Sequence, residues 1–92
     1  MIKLKNAYLE VELEPKGAEI SKIIGLKDGL NYMWKQDPEL WGHSAPILFP
    51  IVGALHNGQT VIEGKTYKMN QHGFSRNMNY DVVENDDHHV IF

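Results

Sequence analysis

The sequence contains no cysteine. Disulfide bonds and thiolate metal sites are therefore excluded, and the absence fits a reducing compartment, so the sequence predicts a cytoplasmic protein. Residues 1–5 lack the apolar core of a signal peptide. The longest apolar run is interrupted by Pro46 and Pro50 and is shorter than a segment that spans a bilayer. No membrane partner is expected.

An excess of positive charge is also missing. The chain has 9 lysine and arginine residues against 12 aspartate and glutamate residues, a net charge of -3. Binding to a phosphate backbone is therefore not its expected task, and no nucleic-acid partner is predicted. Histidine is frequent, but His88 and His89 would point to opposite faces of a strand, and His43, His56 and His72 have no metal-ligand spacing. The sequence predicts no metal and no cofactor.

Alternation of apolar and charged residues dominates the start of the chain. Residues 2–5 alternate with lysine and residues 9–14 alternate with glutamate. This period of two predicts a hairpin with one apolar and one charged face, in which the lysines of the first strand lie opposite the glutamates of the second. A turn at residues 15–17 and a third strand over residues 18–26 should follow, although the apolar spacing in 18–26 fits helix and strand equally.

The rest of the chain also favours strands. We predict strands over residues 30–34, 60–67, 78–83 and 89–92, turns at 27–29 and 56–58, a loop at 35–39 and a buried apolar segment at 45–52. The 60–67 segment should be a hairpin with Glu63 and Gly64 at its tip. Because no long helical period occurs, the predicted fold class is all-β.

The chemistry of the chain is concentrated in residues 71–76, Gln-His-Gly-Phe-Ser-Arg, which we call the histidine run. If this run is extended, His72, Phe74 and Arg76 line one face. Gly73 then allows backbone or a ligand to come close to the imidazole. A small polar molecule could bind there, whereas the plainer interpretation is a loop with a solvated arginine and a hydrogen-bonded histidine.

A second run, residues 41–53 (Trp-Gly-His-Ser-Ala-Pro-Ile-Leu-Phe-Pro-Ile-Val-Gly), is called the proline run. Together the two runs resemble the aldose 1-epimerase (galactose mutarotase-like) family, in particular its bacterial branch with a His-Gly-Phe-small-Arg signature. The spacing of the runs and the Asn-Tyr-Met-Trp segment at residues 31–34 resemble that branch too. Family members are several times longer. The resemblance therefore implies the N-terminal part of a large antiparallel β-sandwich, with residues 1–92 as a single incomplete domain.

The resemblance implies a function, the interconversion of the α and β anomers of a free aldose. A base takes the proton of the anomeric hydroxyl while an acid protonates the ring oxygen, and the ring opens and closes on its other face. His72 matches the first of two active-site histidines of the family, and Arg76 matches its motif arginine, which orients hydroxyls. Phe74 and His43 are further substrate-binding candidates. The second histidine and the glutamate base come later in family chains, so the 92 residues alone are predicted to be inactive.

Two alternatives remain, both with the same fold. His43 and Ala54 stand where many relatives carry an arginine, which makes a non-catalytic carbohydrate-binding protein conceivable. A hexose-6-phosphate epimerase would need more cations than the sequence offers. His43 itself could contact a hydroxyl or only cap a loop. The apolar strand that ends at Phe92 also predicts self-association through unpaired strands.

Overall fold

The computed structural model describes residues 1–92 and contains strands and short 3-10 turns. The strands are β1 (Ile2–Lys5), β2 (Leu9–Glu14), β3 (Glu19–Gly25), β4 (Gln59–Ile62), β5 (Lys65–Lys68), β6 (Glu84–Asn85) and β7 (Val90–Ile91). The 3-10 turns lie at His56–Gly58 and Ser75–Asn77. The predicted all-β class is confirmed. None of the helical segments is long and apolar enough to cross a membrane.

Strands β1, β2 and β3 form an antiparallel sheet in that order. Lys3 lies opposite Glu12 and Lys5 opposite Glu10, so the predicted charged face is confirmed. The Lys3 Nζ atom is 3.4 Å from Glu10 Oε1, and the Lys22 Nζ atom is 3.4 Å from Glu12 Oε2. Because the lysines are exposed, these ion pairs fix the register more than they stabilise the sheet.

Strand β3 contains a β-bulge. Glu12 pairs with Lys22 and Leu13 pairs with Ile20, which leaves Ser21 as an extra residue, and its Oγ donates to the Glu12 carbonyl at 3.2 Å. The extra residue brings Ile20 to the same side of the sheet as Leu13. It also brings Glu19 to the opposite side, at the start of the strand. The bulge therefore decides which way Glu19 faces.

The hairpin predicted at residues 60–67 forms, and a second, short hairpin that the sequence analysis did not predict lies near the end of the chain. Strands β4 and β5 pair antiparallel around Glu63 and Gly64, whose φ angles of 50° and 77° are those of a tight hairpin turn. Strands β6 and β7 pair over only Glu84–Asn85 and Val90–Ile91, so the predicted 89–92 strand is shorter than expected. The side chain of Asp86 accepts the amide N–H groups of His88 and His89 and so closes the turn between the two strands.

The predicted strand at residues 30–34 is wrong. Only Asn31 forms a bridge, with Ile24. The Asn31 Oδ1 atom accepts the N–H of Ile23 at 3.2 Å and the N–H of Met33 at 3.0 Å. A side chain thus takes the place of a backbone partner, and the ladder ends after one bridge.

The predicted strand at residues 78–83 is also wrong. This segment lies against the turn that follows β2, where Gly17 N–H donates to the Met78 carbonyl at 2.6 Å and Tyr80 N–H donates to the Pro15 carbonyl at 3.0 Å. A turn offers no extended row of partners, so no ladder forms. The contact instead holds the end of the histidine run beside the start of β3.

The apolar segment 45–52 is not buried, contrary to prediction. Ile47, Phe49 and Val52 are exposed, and Leu13 is the one large apolar residue that is buried. The molecule measures 55 × 32 × 16 Å, with a radius of gyration of 16.5 Å. A compact chain of this length would have a radius of about 12 Å. The fold is therefore a slab without a second layer to cover its apolar side.

We expect the chain to self-associate through this side. An open cavity of about 420 Å³ on it is lined by Leu13, Ala18, Ile47, Phe49, Ser75, Tyr80, Val90 and Phe92. An exposed apolar surface of this kind favours association in water. Sedimentation velocity should show dimers or larger species that decrease in the variant Ile47→Glu. Val61→Glu, on β4 and outside the cavity, is the matched control, and a monomer at every concentration would contradict the prediction.

Candidate functional site

The structure joins the histidine run to the proline run through the backbone. The carbonyl of Phe49 accepts the N–H groups of Phe74 at 3.0 Å and Ser75 at 3.2 Å. Phe49 and Gly73 also form an isolated parallel bridge. The hydrogen-bonded residues of the two runs are nineteen or more positions apart in the sequence. The two runs therefore form one local structure.

His72 is held by a reciprocal pair of hydrogen bonds with Gly53. The His72 N–H donates to the Gly53 carbonyl at 2.8 Å, and the Gly53 N–H donates to His72 Nδ1 at 2.8 Å. Because Nδ1 accepts a hydrogen bond, the neutral imidazole carries its proton on Nε2. His72 is therefore fixed in orientation and offers an Nε2–H donor.

The histidine run is not extended, which contradicts the prediction that His72, Phe74 and Arg76 alternate onto one face. His72 has a φ of 63° and Gly73 a φ of 74°, both in the left-handed region. A 3-10 turn begins directly after Phe74. The chain turns here because close approach to Phe49 and Gly53 requires it, and the reciprocal bonds with Gly53 hold His72 in a conformation that non-glycine residues seldom adopt.

The side chains of Arg76 and Phe74 have few partners within the protein. Arg76 donates from Nη2 to the Gln71 carbonyl at 3.3 Å, whereas its Nε is buried and has no partner. No carboxylate forms an ion pair with Arg76. The ring of Phe74 is exposed. The buried Nε cannot reach a ligand, so the prediction that Arg76 binds one rests on its unpaired charge, and the prediction for Phe74 rests on its exposure.

His43 is placed by Glu19, a residue that the sequence did not single out. Glu19 is 5% exposed. Its Oε2 is 3.0 Å from His43 Nδ1, and its Oε1 accepts the N–H groups of Ser44 at 2.5 Å and Ala45 at 3.0 Å. Burial raises the pKa of Glu19, but the hydrogen bonds from His43, Ser44 and Ala45 outweigh it, so the pKa lies below its usual value.

Two tryptophans complete the loop around His43. The Trp34 indole N–H donates to the Trp41 carbonyl at 2.7 Å, and the Ser44 hydroxyl donates to the Trp34 carbonyl at 2.6 Å. The ring centroids of Trp41 and His43 are 6.2 Å apart, with an interplanar angle of 56°. Through these contacts the two tryptophans anchor the loop.

The four predicted site residues therefore fall into two clusters. His72, Phe74 and Arg76 lie on the histidine run, which is bonded to Phe49 and Gly53, whereas His43 is bonded to Glu19. The turn before β3 links the clusters, since a side-chain carbon added at Gly17 would lie 2.8 Å from the Arg76 carbonyl oxygen. No group of three or more histidine, aspartate or glutamate side chains is arranged to hold a metal ion.

The chain is similar to known proteins and to solved structures, although not to a protein-family model. It is 38% identical over 96 residues to the plasmid and chromosomal LacX proteins of Lactococcus lactis, covering 99% of this chain and 32% of theirs. The structure of a galactose mutarotase related enzyme from Lactobacillus acidophilus is 39% identical, with a TM-score of 0.89, over 92% of this chain and 28% of that one.

A galactose mutarotase-like protein from Lactobacillus casei is 36% identical with a TM-score of 0.90, over 95% of this chain and 30% of that one. The chain thus spans about a third of the length of the proteins that it matches.

Proposed function

We propose that the chain is an N-terminal portion of a galactose mutarotase-like protein and that it supplies the sugar-binding part of a site that interconverts the anomers of a free aldose. The observation that carries the proposal is the reciprocal bonding of His72 and Gly53, with both distances at 2.8 Å. These bonds fix one imidazole in one orientation with one donor atom free. A positioned group of this kind is what proton transfer to a bound sugar needs.

The proposed chemistry assigns the Nε2–H of His72 to the sugar's ring oxygen. Ring opening gives this oxygen the electron pair of the C1–O bond, and a donor at hydrogen-bond distance can stabilise or protonate it. Arg76 would orient neighbouring hydroxyls through the terminal N–H groups of its guanidinium, and the ring of Phe74 would cover an apolar sugar face. The base that takes the anomeric proton is expected from outside this cluster, as the family resemblance implies.

A neutral sugar fits the site better than a sugar phosphate. Arg76 is the one arginine of the chain and has a single N–H bonded to the backbone, whereas phosphate recognition favours several guanidinium or ammonium groups. In this chain the residue after Gly53 is Ala54, which adds no charge. We therefore assign the substrate class as a free aldose.

The proposal is tested by binding and by polarimetry. NMR titration of the chain with galactose or glucose should shift the signals of His72, Phe74 and Arg76, while glucose 6-phosphate should bind no more tightly. Polarimetry of the 92 residues alone should match the buffer blank. A chimera that joins residues 1–92 to the C-terminal two thirds of the Lactobacillus acidophilus enzyme should accelerate mutarotation if that part carries the base.

The outcomes separate the alternatives. A folded chimera that binds free sugar without exchanging its anomers would favour the non-catalytic binding protein. Preferential binding of glucose 6-phosphate would favour the sugar-phosphate epimerase.

A further inference from the structure

Glu19 and His43 form a buried carboxylate-imidazole pair. One carboxylate oxygen binds the backbone of Ser44 and Ala45, and the other lies 3.0 Å from His43 Nδ1. An ionised carboxylate can only accept hydrogen bonds, so Nδ1 must carry the proton of the neutral imidazole. The Nε2 atom of His43 then has a free lone pair, and no protein group binds it.

The tautomer of His43 is the opposite of that of His72. In His72 the Gly53 N–H occupies Nδ1 and leaves a donor at Nε2, whereas in His43 the Glu19 carboxylate occupies Nδ1 and leaves an acceptor at Nε2. A sugar hydroxyl can donate to such an acceptor. The two histidines thus offer complementary partners to a molecule that carries many hydroxyl groups.

Trp41 provides an apolar surface beside this acceptor. Trp41 is 47% exposed, although its backbone carbonyl accepts a hydrogen bond from Trp34 and its ring centroid is 6.2 Å from that of His43. The loop is thus fixed while about half of Trp41 remains exposed to solvent. The C–H faces of an aldose are apolar and its rim is polar, which matches an aromatic ring next to a hydrogen-bond acceptor.

We propose that Glu19 is a positioning residue that fixes His43 as a hydrogen-bond acceptor for a sugar hydroxyl, and that Trp41 packs against the same sugar. The identity of the ligand rests on the proposed function. The tautomer of His43 does not, because the geometry of the free protein determines it.

The variant Glu19→Gln separates positioning from mere loop support. The glutamine carbonyl oxygen can still accept the N–H groups of Ser44 and Ala45, so the loop keeps its anchor. The amide NH₂ then faces His43 Nδ1 and donates to it, which moves the imidazole proton to Nε2. The variant should reverse the tautomer while the fold is retained.

Long-range ¹H–¹⁵N correlation spectra of the ¹⁵N-histidine-labelled chain, recorded at a pH where the imidazoles are neutral, test this directly. The chain should show the Nδ1–H tautomer for His43 and the Nε2–H tautomer for His72. Glu19→Gln should change only His43, and the matched control Glu14→Gln should change neither. A wild-type His43 with its proton on Nε2, or one that does not respond to Glu19→Gln, overturns the proposal.

A galactose titration tests the ligand. His43→Ala and Glu19→Gln should weaken binding by about ten-fold, the effect of losing roughly one hydrogen bond. The control His56→Ala, in the turn before β4, should have no effect. If galactose shifts His72 but not His43 or Trp41, the inference fails while the proposed function stands. If none of the three responds, the proposed function fails, and the sugar assignment made here fails with it.

Discussion

Gly73→Ala is expected to detach the histidine run from the proline run and to cost roughly 3 kcal/mol or more of unfolding free energy. A side-chain carbon at this position would overlap the carbonyl oxygen of Phe49 and lie 2.5 Å from its carbonyl carbon. These are backbone atoms, which cannot rotate away. The φ of 74° adds the cost that any non-glycine residue incurs in the left-handed region.

Gly64→Ala is the matched control for this prediction. Gly64 has a φ of 77°, but an added carbon would meet nothing within 4 Å. The control should therefore lose only the conformational term, about 1–2 kcal/mol. Chemical unfolding of both variants gives the free energies, and hydrogen exchange at the amides of Phe74 and Ser75 reports the bonds to Phe49. Equal losses in the two variants would show that close packing at Gly73 is unimportant.

The parts of the fold that the sequence predicts well are those with local signals. Alternation with a period of two determines the pairing of β1 with β2, and the turn residues Glu63 and Gly64 determine the β4–β5 hairpin. Strand β3 shows why an apparently mixed pattern arises. Ile20 and Ile23 are three residues apart, a helical spacing, yet the bulge at Ser21 brings both onto the same side of the sheet.

The errors arise where the structure depends on contacts that are distant in sequence. Glu19 resembles the glutamates of β2 in the sequence, but its partners lie 24 to 26 residues further along the chain. Only three-dimensional proximity distinguishes it from a solvated strand residue. Asn31 ends a strand because its side chain accepts two backbone N–H groups, which composition alone does not reveal.

The histidine run combines both difficulties. Its residue types and its pairing with the proline run predict a candidate site there, but they do not predict the conformation. One glycine in the run is compatible with an extended strand or with a turn, and nothing local indicates that His72 also takes a left-handed φ. That angle is set by the bonds to Gly53, nineteen residues earlier in the sequence. The sequence singles out these residues as a candidate site, which stays a prediction, whereas it does not predict how they are arranged.

The largest effect on activity is expected from His72→Asn, measured in the chimera with the Lactobacillus acidophilus enzyme. The asparagine Oδ1 can replace Nδ1 as the acceptor of the Gly53 N–H, and asparagine tolerates a positive φ. The scaffold bond is retained while the Nε2 donor is lost. We expect turnover to fall roughly 100-fold or more, the range for a positioned acid or base, with the unfolding free energy nearly unchanged.

His72→Ala and His72→Gln distinguish a catalytic from a structural role of this histidine. Alanine removes both ring nitrogens and leaves the Gly53 N–H without a partner, so it should lose turnover and also about 1–3 kcal/mol of stability. In His72→Gln the amide nitrogen can lie near the position of Nε2 and donate a hydrogen bond. This variant should therefore bind sugar better than His72→Asn, although its amide cannot transfer a proton. Saturation-transfer NMR measures anomer exchange, and thermal unfolding measures stability in each variant. Normal exchange in His72→Asn together with a lowered melting temperature in His72→Ala would mean that the imidazole supports the turn and does not act on the sugar.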